Sequence, residues 1–158
     1  MKKNLAKALI VVTMFFFAGS ALAELAAIGP NDKPIQVVLA RKCVKNVMMA
    51  NFLAIKEKLK AGTTDGITLN AHSIASLAVS MPPLYENTYA EVYPIEGSEF
   101  KYIGGSMSGY VQASQDTFSQ AMALAEFSQS NDIAATQAQA DKLLASCKGC
   151  HATYRSKI

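Results

Sequence analysis

Metal ligands are scarce in this sequence: histidine occurs twice and cysteine three times. A structural zinc site needs four N or S ligands. Beyond Cys147, Cys150 and His151 only Cys43 and His72 remain, at no standard zinc spacing. Long apolar runs are missing too, because the stretch Ala8–Ala18 is too short and wrongly flanked to be kept as a membrane span. An excess of one charge is missing once the amino terminus is set aside. The chain has 15 Lys+Arg and 12 Asp+Glu, and the first 23 residues hold Lys2, Lys3 and Lys7 with no acid, leaving 12 of each sign. Near neutrality excludes a nucleic-acid footprint and a polybasic membrane patch. No internal repeat, low-complexity tract or alternation of strand and helix is visible, and no side chains pair as nucleophile and base, so an enzyme is not expected.

The amino terminus reads as a secretory signal. Met1-Lys2-Lys3 precedes the apolar run, and Ala21-Leu22-Ala23 supplies a small-residue cleavage site before Glu24. Residues 1–23 are therefore expected to be removed, leaving 24–158 as one domain in the periplasm. An exported chain with three cysteines raises the fate of Cys43. Burial as a small hydrophobe is the default expectation, and pairing with Cys43 of a second molecule is the alternative.

The strongest motif lies near the carboxyl end: Cys147-Lys148-Gly149-Cys150-His151. On a helix, positions i, i+3 and i+4 share a face, so both thiols and the imidazole address one object. C-x-x-C-H is the attachment pattern of a c-type haem, with two thioethers from Cys147 and Cys150 and His151 as proximal iron ligand. Export agrees with this, since bacterial haem c is attached outside the cytoplasm. The competing readings are a dithiol redox pair, half a zinc site, and chance.

Four helices carry the rest. Pro34 opens the first, which runs to about Lys60 before Ala61-Gly62; Val37, Val44, Met48, Phe52, Ile55 and Leu59 share one side. Arg41 falls inside that stripe and calls for an anion, while Lys45 lies on its shoulder. A second helix is expected from about Asp65, its N-cap, to Ser80, with Leu69, Ile74, Leu77 and Met81 as apolar markers and Pro82-Pro83 after it. Residues 82–105 form a long connection rich in Pro, Gly, Tyr and Glu, without strand pairing. The third helix covers about 106–129, packing through Tyr110, Phe118, Met122, Ala125 and Phe127. The fourth starts at Asp132 or Ile133 and carries the motif. The pattern predicts an all-α, antiparallel four-helix bundle in which the haem on the last helix meets the first.

These residues resemble the cytochrome c′, or class II c-type cytochrome, family. The ending Cys147-Lys148-Gly149-Cys150-His151-Ala152-Thr153-Tyr154-Arg155 is similar to that family's, and so is Arg41 followed by Asn51-Phe52. The resemblance implies one covalent haem c, a periplasmic bundle that dimerises in many relatives, and Arg41 near a haem propionate. It implies one-electron exchange with periplasmic or membrane-bound redox proteins, or alternatively a five-coordinate iron that binds NO or CO. Low-spin members carry a ligating methionine four residues after the arginine. This chain has Lys45 there, with Met48 three further on, so the sixth ligand is Lys45, Met48 or absent. Gly104 stands where many relatives have a tryptophan, a residue this chain lacks. His72, alone on its helix, is expected at the surface or hydrogen-bonded in the core. Arg155, one turn past His151, is expected either as a surface charge or as a screen for the proximal side.

Overall fold

The computed structural model describes residues 34–158, so the expected signal peptide at 1–23 lies outside the described residues. Four helices account for most of them: α1 (Pro34–Lys60), α2 (Ile67–Ser80), α3 (Met107–Ser128) and α4 (Ile133–Tyr154). Each boundary has a local cause. Gly62 takes φ 73°, which glycine adopts without a Cβ clash, and ends α1. Asp132 caps α4 by accepting the Ala135 N–H at 2.9 Å, as its position predicts. Ser106 caps α3 by accepting from Gly109 at 3.3 Å. At α2 the expected Asp65 cap is corrected. Gly66 holds the cap position with φ 70°, and the Asp65 N–H bonds Thr63 Oγ1 instead.

The main core lies where all four helices meet. Ile55 and Leu59 of α1, Ile67, Ala71, Ile74 and Ala75 of α2, Ala121, Leu124 and Ala125 of α3, and Ala140 and Leu143 of α4 bury one another. The alanines on α2 and α3 let these helices approach closely, and that pair forms the most extensive contact in the bundle. The same geometry corrects two predicted core residues. Leu69 lies off the α2 face formed by Ile67, Ala71 and Ile74 and is 72% exposed; Phe127 lies off the α3 face and is 43% exposed. Cys43, expected to be buried, is exposed on α1. His72 is exposed on α2.

The long connection is where sequence and structure differ most. It contains two 3-10 turns, Pro82–Tyr85 and Ala90–Val92, and then a short strand, β1 (Phe100–Tyr102). β1 pairs antiparallel with β2 (Arg155–Lys157), which follows α4 directly, with Phe100 opposite Lys157 and Tyr102 opposite Arg155. Three-residue strands are too short to show alternation in sequence. Their effect is to pin the connection to the end of the helix carrying the C-x-x-C-H motif.

Candidate functional site

The helix contacts leave one seam unfilled. α1 packs on α2, α2 on α3, and α3 on α4, whereas α1 and α4 touch only sparsely. Between these two lies a cavity of about 360 Å³, within the range of small-molecule and cofactor sites. Its α4 wall includes Leu143, Cys147, Cys150, His151 and Tyr154; its α1 wall includes Arg41, Lys45, Met48 and Phe52. The predicted face of the motif is therefore present, with both sulfurs and the imidazole bordering one space.

The cavity also explains the half-buried apolar stripe of α1. Ile55 and Leu59 are buried, but Met48 and Phe52 are only partly covered, although both touch the main core. They stand over the seam instead of against α4.

One end of the cavity is closed by aromatics. Tyr85 stacks on Tyr110 with ring centres 4.6 Å apart, and Tyr102 meets Tyr85 edge-on at 5.0 Å. Tyr154, one turn past Cys150, meets Tyr110 edge-on at 5.1 Å. Burial raises the hydroxyl pKa values of Tyr85 and Tyr110, so both stay protonated at physiological pH. Tyr154 also packs on two glycines. A Cβ at Gly109 would stand 2.5 Å from its hydroxyl, and one at Gly105 would stand 2.8 Å from its ring.

Arg41 is buried, 2% exposed. Its guanidinium donates to three backbone carbonyls of the connection: Nε to Leu84 O at 2.5 Å, and the two terminal nitrogens to Asn87 O at 2.5 Å and Thr88 O at 3.1 Å. Its guanidinium also lies over the Tyr85 ring, 4.7 Å from the centre. Beside it Lys42 donates to Glu96 O at 2.6 Å. Two adjacent α1 side chains thus hold the connection across the cavity.

The cavity is electropositive. Arg41, Lys42, Lys45, Lys148 and Arg155 border it, and among the described residues Glu99 is the one carboxylate in its lining. Burial, then Arg155 and Lys45, lower His151 to about 4, leaving a neutral imidazole with a free lone pair at neutral pH. Burial raises both Cys147 and Cys150. Burial, then Arg155 and Arg41, lower Lys45 to about 8, opposed by the neighbouring Cys150. Arg155 stacks on Phe100, 4.1 Å from its ring centre, and borders the cavity with His151, so it is not a free surface charge.

Cys43 and His72, the remaining zinc candidates, lie outside this lining. Sequence reasoning missed Tyr85, Tyr102 and Tyr110 as site residues. Their signal is the concentration of tyrosine in and beside the connection, with five of the six tyrosines between positions 85 and 110.

Comparison with known proteins gives one consistent result. The family model described as cytochrome c′ matches residues 36–155. The fold is similar to the crystal structure of cytochrome c′ from Thermochromatium tepidum, with TM-score 0.68 and 21% identity over 80% of this chain and 98% of that one. A second solved structure, simply described as cytochrome c′, gives 0.63 and 21% over 79% and 98%. A third, a cytochrome c′ with an unusual ligand-controlled dimer dissociation, gives 0.58 and 19% over 80% and 99%. No curated protein matches the chain.

Proposed function

We propose, from the premise that this chain belongs to the cytochrome c′ family, that it is a periplasmic electron carrier holding one haem c in the seam between α1 and α4. The family binds haem c covalently. The residues present fit that group. An apolar cavity rimmed by cations suits a macrocycle bearing carboxylates, and two thiols beside a neutral imidazole match its two vinyl groups and its iron. In this reading Cys147 and Cys150 form the thioethers and His151 binds the iron. Arg41 acts as a positioning residue that fixes the connection and places positive charge near the propionates.

The single observation carrying this reading is that Cys147, Cys150 and His151 all border the seam between α1 and α4. When bound, the haem supplies a reversible one-electron couple. The protein's own contribution is to clamp it, cover it with the tyrosine cluster, and tune it through nearby cations. The alternative, an NO- or CO-binding protein, is favoured by the apolar Met48 and Phe52 on the α1 wall. Voltammetry and absorption spectra separate the two. A carrier gives a reversible one-electron wave and a ferrous spectrum that CO does not alter, whereas a rapid spectral change with CO identifies a gas binder.

Export through residues 1–23 belongs to the same reading, as does a single domain over 24–158. Among the described residues no helix is long and apolar enough to cross a membrane. Redox proteins would then dock transiently at an exposed haem edge. A homodimer also fits. Ile35, Leu39, Cys43 and Leu53 lie exposed along α1, outside the cavity lining. Sedimentation should give a dimer for the natural chain and a monomer for a Leu39→Glu, Leu53→Glu double variant. Equal sedimentation of the two would reject this interface.

A further inference from the structure

We propose that Lys45 is the sixth iron ligand, its amine binding on the face opposite His151. This rests on the haem reading above. A flat group fastened to α4 presents its other face to α1, and of the donors elsewhere in the lining Met81 already accepts from the Tyr110 hydroxyl at 3.9 Å, which leaves the α1 wall. The lone-pair donors there can be taken in turn. Met49 borders the cavity but is 52% exposed, at its solvent edge. The Met48 side chain packs against both hydrophobic clusters, where a flexible thioether serves as filler. Arg41 and Lys42 are engaged by backbone carbonyls.

Lys45 alone lacks such an engagement. Among the described residues no hydrogen bond or carboxylate holds its nitrogen, which lies over the Tyr85 ring 5.2 Å from the centre. It shares its cavity with Arg41 and Arg155, where a further cation is repelled. A half-buried amine in that position gains most by binding an electrophile. Its proton leaves to solvent, its lone pair forms the N–Fe bond, and the iron keeps its oxidation state.

The competing role is an ammonium paired with a propionate, and arginine separates the two because it keeps the charge but does not ligate. The test is the absorption and electron paramagnetic resonance spectra of the ferric holoprotein and of its Lys45→Ala, Lys45→Arg and Met48→Leu variants. Haem content is measured in parallel. We expect a low-spin spectrum for the natural chain and for Met48→Leu, without the sulfur-to-iron charge-transfer band of methionine ligation. Both Lys45 variants should lose the low-spin signal and retain covalent haem. A high-spin natural protein, a methionine band, or a Lys45→Arg variant that stays low-spin would overturn the proposal and leave the haem reading intact. Absence of haem from the natural chain would reject both. Should the Lys45 variants fail to fold, the band in the natural protein still decides.

Discussion

Replacing both Cys147 and Cys150 with serine should abolish covalent haem. Each thiol lies within one turn of the other on α4 and borders the seam, so each serves a different point on the same macrocycle. A serine hydroxyl is a far weaker nucleophile than a thiol and makes no thioether. Each single variant should retain at most one bond, and the double variant none. His151 remains in the double variant and can hold haem non-covalently, so the readout must be made on denatured protein. Haem stain in a denaturing gel should fall to background in the double variant and persist in the natural chain. Unchanged stain in the double variant would place the attachment elsewhere.

Replacing Arg41 with alanine should be the most destabilising single change outside the motif. Its guanidinium gathers three carbonyls from a segment 43 to 47 residues away, and those oxygens lose their donors together. Hydrogen bonds to a charged group contribute about 1.5–3 kcal/mol each, and rehydration of the turn recovers part of that. The expected loss is about 3 kcal/mol, or about 10 °C in Tm for a domain of this size. Lysine should rescue little, because a compact ammonium cannot span three acceptors arranged for a planar fork. Thermal unfolding followed by circular dichroism checks this. An alanine variant melting within about 1 °C of the natural protein would show that the connection is held by other means.

Helical periodicity and capping chemistry made most of this fold legible. Pro34, Gly62, Ser106 and Asp132 each bound a helix for a local reason, and local reasons survive in sequence. The C-x-x-C-H motif was legible because its spacing matches one helix face whatever surrounds it. What sequence hid is non-local. Leu69 and Phe127 look like core residues until the alanine faces of α2 and α3 show which sides the helices present. Cys43 looks like a small buried hydrophobe until the cavity fixes α1's orientation. The β1–β2 pair depends on a contact across more than fifty residues between segments of three. Arg41 illustrates the same limit: its burial could be read from the stripe, but its partners are carbonyls, which carry no sequence signature. Lys45 stood on the shoulder of the stripe in sequence and takes its meaning only from the opposite wall.

That α4 carries a covalently fixed porphyrin is tested most directly on the natural protein produced in a host that matures c-type cytochromes. Tandem mass spectrometry of its proteolytic peptides should find the segment spanning residues 147–151 heavier by one haem, bonded at both cysteines, with Cys43 unmodified. Recovery of that segment at the mass of its amino acids alone, from a preparation without a Soret band, would contradict it.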